Sequence, residues 1–197
     1  ISRQIYSNSI LNLFDKNYFE IGPIWASLQL EWLNEVYRTF YDYEKFMVLV
    51  YFRNKTFDYY SKNFVKMTFE EYYSQKMIEI EKFNIMDVSK NLNIPKESAR
   101  RKIIELEKLG IIKRSRKKVY LLKSNWPSIK PEDNVKRISK FLSKISKSLY
   151  MEKVLSNTYT TEEISNGIKV NFSHIWKLYY DMQIPMFLKY KKIFKDL

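Results

Sequence analysis

The chain contains no cysteine, one histidine, three glycines and five prolines among its 197 residues. The absence of cysteine excludes disulfides, thiol nucleophiles and cysteine-based zinc sites. The scarcity of glycine and proline favours long helices over a turn-rich β fold. No segment approaches the roughly 20 consecutive apolar residues of a membrane-spanning helix, and no signal peptide is visible. We therefore expect a mainly helical, cytoplasmic protein without a membrane partner.

The sequence also lacks the patterns that are typical of enzymes. It contains no glycine-rich phosphate loop and no nucleophile elbow. The single histidine, His174, has neither a cysteine nor a second histidine to complete a metal site, and we interpret it as structural. The acidic pairs Glu70-Glu71 and Glu162-Glu163 are typical of the first turns of helices. We expect no enzymatic activity, no metal and no cofactor.

Positive charge is abundant, and it is unevenly distributed along the chain. The formal net charge is +13. Residues 1–83 carry 10 basic and 11 acidic side chains, residues 84–126 carry 12 and 4, and residues 127–197 carry 13 and 7. An AT-rich genome would raise the lysine content everywhere, which does not explain the neutral first part. A local excess of basic residues is typical of proteins that bind a polyanion.

The most informative segment is 87–122, which predicts a helix, a tight turn, a second helix and a short hairpin. In the first of these helices, Val88 and Leu92 are expected to face inward. Asn93 follows where the chain must turn sharply, a position at which asparagine tolerates positive φ. In the second helix, Ala99, Ile103 and Leu106 follow the i, i+4, i+7 spacing of one buried face. Gly110 then follows at the position of a helix C-cap.

In the N-terminal half of the second helix, that spacing leaves four residues pointing outward: Glu97, Ser98, Arg100 and Arg101. Lys96 and Lys102 flank them. Arginine can make a bidentate contact with guanine, so we assign base reading to Arg101 first and to Arg100 second. Lys96 and Lys102 are better placed for phosphates. The hairpin carries four further cations that suit a phosphate or minor-groove contact: Arg114, Arg116, Lys117 and Lys118.

These residues resemble the winged helix-turn-helix of bacterial transcription regulators such as the MarR, IclR and Crp groups. The resemblance covers about residues 69–123, and the matching residues are Val88, Ser89, Leu92, Asn93, Ile94, Ala99, Ile103, Leu106, Gly110 and Ile111. It implies sequence-specific binding of double-stranded DNA, with the second helix in the major groove and the hairpin as the wing. It also implies transcriptional regulation, and a homodimer would place two recognition helices about 34 Å apart.

Apolar residues recur at helical spacing before the basic segment. Gly22-Pro23 predicts a break, followed by a helix to about Phe40 and a second helical run over about 43–52. Thr68 predicts a helix N-cap. The helix after it is taken as the first of the winged domain, with an apolar face formed by Phe69, Tyr72, Tyr73, Met77 and Ile80.

After the basic segment, residues 125–134 read as a linker. A heptad pattern then predicts an amphipathic helix that is also a candidate dimer element, formed by Val135, Ile138, Leu142, Ile145 and Leu149. The last segment, about 172–194, is predicted to be helical with a kink or break at Pro185, and its aromatic residues are expected to pack against the N-terminal helices. Residues 161–182 repeat the helix-turn-helix spacing weakly, and plain helical packing is the favoured interpretation.

We therefore expect three consecutive regions: an aromatic helical region for packing or dimerisation over 1–67, the winged helix-turn-helix over 68–124, and a helical region over 125–197 that is a second candidate for dimerisation. Two alternative functions stay open. One is a structural adaptor that uses a winged helix to bind protein, and the other is a DNA-processing or replication-initiator factor. A small-molecule effector in an apolar pocket near Trp25 and Trp32 is also left open.

Overall fold

A computed structural model describes residues 6–80, 84–115, 118–122 and 131–194. Within these ranges the chain is mainly helical, as expected, and adds one small antiparallel sheet. The helices are α1 (Ser7–Lys16), α2 (Tyr18–Phe40), α3 (Tyr43–Lys62), α4 (Phe69–Ser74), α5 (Ile85–Leu92), α6 (Lys96–Lys108), α7 (Pro131–Met151), α8 (Thr161–Val170) and α9 (Phe172–Phe194). The strands are β1 (Met77–Ile80), β2 (Ile112–Ser115) and β3 (Lys118–Leu122). None of the described helices combines the length and apolarity that crossing a bilayer requires.

The chain divides into two compact units. The first comprises Ile1–Glu35 and Ile129–Lys169, and the second comprises Val36–Ser128 and Val170–Leu197. This division differs from the three consecutive regions suggested by the sequence, because α1 packs with α7 in the first unit and α3 packs with α9 in the second. Each unit thus joins segments that lie far apart in the chain.

The core of the first unit is formed by α1, α2 and α7. Four members of the heptad pattern in α7 are buried, whereas Leu142 is 37% exposed and its neighbour Phe141 is buried in its place. A straight helix turns once every 3.6 residues, so its buried face drifts away from a strict heptad. The Phe141 ring packs against Trp25, with ring centroids 5.4 Å apart. The amphipathic face of α7 is therefore occupied within the chain.

Neither Pro23 nor Pro185 ends a helix, so the predicted break at Pro23 is wrong, and of the predicted kink or break at Pro185 the break is wrong. Pro23 lies in the second turn of α2, and Pro185 lies inside α9. A proline inside a helix frees the carbonyl four residues earlier. Those carbonyls belong to Phe19 and Asp181, which are both exposed, so water can satisfy them.

The predicted linker over 125–134 is too long at its C-terminal end, since Pro131 already begins α7. Residues 125–130 lie outside the described ranges.

In the second unit, α3 and α9 form the largest packed pair of helices. The predicted helical run over 43–52 extends to Lys62, and every side chain from Phe46 to Phe52 is buried. On α9, Phe172, Trp176 and Tyr180 are buried as well. The Phe57 ring of α3 lies 5.9 Å from the rings of both Phe172 and Tyr180, measured between centroids. The predicted packing of the C-terminal aromatic residues against an N-terminal helix is confirmed.

The segment after Thr68 combines one confirmed prediction with one error. Thr68 caps α4 as predicted, through a capping box with Glu71. The helix ends at Ser74, however, and Met77 and Ile80 lie in β1 instead of on its apolar face. Strand β1 pairs antiparallel with β3, which also pairs antiparallel with β2. A spacing of three residues fits a helix, but the strand partner that decides the outcome is distant in the sequence.

Candidate nucleic-acid interface

The turn between α5 and α6 is closed by short local hydrogen bonds. Asn93 adopts a left-handed conformation with φ 48°, as its identity predicted, and Ile94 is buried behind it. The Ile94 amide donates to the Ser89 carbonyl at 3.1 Å, and the Ser89 hydroxyl donates to the Ile94 carbonyl at 2.7 Å. Ser89 therefore stabilises the turn, and the turn sets the direction of α6.

Helix α6 has the buried face that its spacing predicted. Ala99, Ile103 and Leu106 are all 0% exposed. The helix is followed by Gly110 with φ 67°, a left-handed conformation that glycine adopts without a steric penalty. The next amide, that of Ile111, donates back to the Leu106 carbonyl at 3.0 Å, which is the closing bond of a Schellman motif.

The N-terminal half of α6 presents exposed charges to solvent. Lys96, Glu97, Arg100 and Arg101 are exposed, and Ser98 is half-buried. The guanidinium of Arg100 lies 3.7 Å from the Glu97 carboxylate, and that of Arg101 lies 4.0 Å from Glu105. Exposed ion pairs of this length contribute little stability, so both arginines can exchange these partners for others.

Lys102 is the one predicted contact residue on α6 that the structure removes from the solvent face. Its side chain is 9% exposed, and its ammonium group contacts the carboxylates of Asp42, just before α3, and of Glu44, in the first turn of α3. Lys102 lies three positions after Ala99, so it points along the edge of the buried stripe. Its assignment to phosphates was wrong, and it joins α6 to α3 instead.

The Arg114 side chain forms an ion pair within the protein. Its guanidinium donates two hydrogen bonds to the Glu107 carboxylate, at 2.9 and 2.6 Å, and its backbone amide donates a third at 3.1 Å. These bonds attach β2 to the C-terminal end of α6. They also hold the pKa of Glu107 below its ordinary value, chiefly through the Arg114 side chain.

Glu107→Gln is expected to lower the free energy of unfolding by about 0.5–1 kcal/mol at neutral pH, because both groups are partly exposed and the pair is screened. A lowered carboxyl pKa in the folded state stabilises the protein above the ordinary pKa of 4.5, and that contribution is lost as the pH falls through the folded value. Urea unfolding of both proteins at a series of pH values measures the difference. A gap that stays constant below pH 4.5 would contradict the assignment.

The remaining predicted hairpin cations fall into two groups. Lys118 is exposed, and its ammonium group lies 2.5 Å from the Glu79 carboxylate on the neighbouring strand. Arg116 and Lys117 lie outside the described residues. The predicted contact residues did not include Lys108 on α6 and Lys113 on β2, which are also exposed cations. Lys108 could have been found, because it follows Arg101 by seven positions and so shares its side of the helix.

The two edges of the buried stripe of α6 have different attachments. Lys102 and Glu107 lie about 140° apart around the helix axis, on either side of the stripe. The Glu107 edge carries the hairpin through Arg114. The Lys102 edge faces the start of α3, where the Lys45 ammonium also lies 2.8 Å from Glu105. Lys191 of α9 completes this side, since it donates to Glu44 at 2.5 Å and to the Asn93 carbonyl at 3.3 Å.

The weak repeat over 161–182 has few of the features of the central motif. Phe172 and Trp176, which the repeat would place outward, are buried in the core of the second unit. His174 is exposed on α9, unlike the structural histidine that was predicted. In the part of the chain that the structure describes, no group of three or more histidine, aspartate or glutamate side chains could hold a metal ion.

Comparison with known proteins gives no family for this chain. No protein family model matches it, and neither the curated proteins nor the solved structures show a significant match. The functional argument therefore depends on the geometry of α5, α6 and the hairpin and on the charges of that segment.

Proposed function

We propose that residues 68–124 form a winged helix-turn-helix that binds double-stranded DNA in a sequence-specific manner, and that the protein is a cytoplasmic transcriptional regulator. In this proposal α6 is the recognition helix and enters the major groove, and the β2–β3 hairpin is the wing. Arg101 and Arg100 read bases, and Lys96 contacts phosphates. The protein has no enzymatic role in this proposal.

The observation that carries the proposal is the division of α6 into two faces. One face is fully buried through Ala99, Ile103 and Leu106, so the helix is anchored in the hydrophobic core. The side exposed to solvent carries Arg100 and Arg101 near the N-terminal end, which is the part of a recognition helix that reaches base edges. The electrostatic support is the basic balance of residues 84–126, with 12 basic and 4 acidic side chains.

A homodimer is part of the proposal, since a two-fold symmetric protein reads a near-palindromic site. The first unit supports it with large apolar side chains that stay exposed in one copy of the chain. Leu11 is 61% exposed, Phe19 is 91% exposed and Leu30 is 61% exposed. A second copy would remove this surface from water. Light scattering after size-exclusion chromatography measures the molar mass in solution, which we expect to be that of two chains.

The decisive experiment is a fluorescence-anisotropy titration at several salt concentrations. It compares a genomic fragment from upstream of the protein's own gene with a scrambled duplex of equal length. We expect tighter binding of the genomic fragment at physiological salt, and a salt slope that counts the phosphate contacts. If neither duplex binds beyond a salt-sensitive background, the regulator proposal fails and the protein-adaptor alternative gains support.

A further inference from the structure

The junction between α2 and α3 carries an exposed group of tyrosines beside α6. Tyr37 and Tyr41 are 51% and 75% exposed. The Tyr37 ring lies 5.9 Å from that of Tyr41 and 5.8 Å from that of Tyr43, measured between centroids. We call these three residues the tyrosine cluster. The neighbouring apolar positions of the same helix turn, Val36 and Phe40, are buried, so the outward placement of the tyrosines follows from helical spacing.

The backbone at Tyr41 is strained. Its φ of 52° lies in the left-handed region, which favours glycine and asparagine over a large side chain. Such a conformation costs free energy and persists where the surroundings fix it. Here the next residue, Asp42, is fixed twice, because it accepts from the Lys45 amide at 3.0 Å and contacts the Lys102 ammonium. The ring of Tyr41 is thus held outward without being needed for the core.

The junction lies at the edge of α6 that is opposite the hairpin. Asp42 and Lys45 contact Lys102 and Glu105 on that edge, while the hairpin is attached at Glu107 on the other. The major groove is about 12 Å wide, so a helix within it has a phosphate strand on each side. In the proposed binding mode the hairpin contacts one of these strands, which leaves the side of the α2–α3 junction for the other.

The charges at the junction do not oppose a polyanion. Each of its carboxylates has a lysine partner: Asp42 contacts Lys102, Glu44 lies 2.5 Å from Lys191, and Glu105 lies 2.8 Å from Lys45. Arg38, three positions before Tyr41, is exposed in the last turn of α2 and adds a positive charge next to the junction in the sequence. Tyrosine hydroxyls and arginines are common donors to DNA phosphates.

We infer that the tyrosine cluster and Arg38 form a second contact with the DNA backbone, on the side of α6 opposite the hairpin, where the Tyr41 hydroxyl and the Arg38 guanidinium donate to phosphate oxygens. The inference rests on the proposed function and extends the interface to a part of the chain that carries no sequence motif. Because phosphates carry no sequence information, this contact adds affinity equally for all duplexes.

The test measures the affinity of the full-length chain for a labelled random-sequence duplex at low salt. Tyr41→Phe removes only the hydroxyl and is expected to weaken binding about five- to tenfold, within the range of the net contribution of one typical hydrogen bond. Arg38→Gln is expected to weaken it similarly and to reduce the salt slope by about one. Tyr59→Phe is the matched control and should bind like the wild type, because Tyr59 is exposed on α3 about 21 Å along the helix from Lys45.

A second variant guards against effects on folding. Tyr41→Asn suits the left-handed backbone, so its melting temperature should not fall below that of the wild type while its affinity drops at least as much as that of Tyr41→Phe. If the wild type binds duplex and Tyr41→Phe binds equally well, the inference is overturned and the proposed function stands. If only Tyr41→Asn loses affinity and single-stranded DNA binds better, the rings stack on bases and the phosphate contact is wrong. A wild type that binds no duplex overturns both.

Discussion

Arg101→Ala is expected to weaken binding to the specific duplex by about 10- to 100-fold, while binding to a scrambled duplex falls only a few-fold. The reason is that one bidentate arginine–guanine contact is worth about 1–3 kcal/mol of discrimination. Arg101 is exposed on α6, and its ion pair with Glu105 is long at 4.0 Å. Its removal should therefore change the free energy of unfolding by less than about 0.5 kcal/mol. Anisotropy titrations and urea unfolding measure the two quantities.

Arg101→Lys separates the reading of a base from the attraction of a charge. Lysine keeps the positive charge but cannot reproduce the planar two-donor geometry of the guanidinium. We expect it to lose most of the discrimination and to keep the affinity for the scrambled duplex. Lys62→Ala, an exposed cation at the far end of α3, serves as a control for total charge. Specific binding that survives both Arg101 substitutions would remove this residue from base reading.

Lys102→Met is expected to have the largest effect on stability, lowering the free energy of unfolding by about 2–4 kcal/mol. Breaking a buried ion pair by removing one partner typically costs 3–5 kcal/mol. We expect slightly less here, because the Asp42 and Glu44 side chains keep 22% and 19% of their surface exposed. Methionine preserves the volume of the lysine stem, so the loss reports the charge. The exposed Lys108→Met on the same helix is the matched control and should cost under about 0.5 kcal/mol.

A double-mutant cycle with Asp42→Asn tests the mechanism. Asparagine keeps a side-chain oxygen that can accept the Lys45 amide and cap α3, but it removes the negative charge. The double variant should therefore be more stable than the sum of the two single losses predicts. Strict additivity, or a Lys102→Met loss no larger than that of the control, would mean that the pair does not hold α6 against α3.

The parts of the fold that local rules decide were predictable. The left-handed turn at Asn93 and the glycine stop at Gly110 follow from backbone sterics, which act within a few residues. The buried stripe of α6 follows from the geometry of any helix with that apolar spacing. The local geometry of the turn and of α6 could therefore be predicted from the sequence.

Three of the errors share a different cause, because each depends on a partner that is distant in the chain. Lys102 looks like a surface lysine until Asp42, 60 positions earlier, is brought to it. Met77 and Ile80 fit a helix until β3 offers backbone hydrogen bonds. The tyrosine cluster was missed for the same reason, since nothing near Tyr41 in the sequence indicates that α6 lies beside it.

The attachments of α6 have a consequence for the rate at which the protein is expected to associate with DNA. The helix is tied to the hairpin through Glu107 and to α3 through Lys102 and Glu105. A surface that is fixed before its ligand arrives loses little conformational entropy when the two meet. Encounter is then governed by diffusion and by the attraction between opposite charges. We expect an association rate constant that falls steeply with added salt, and a heat capacity change too small for coupled folding.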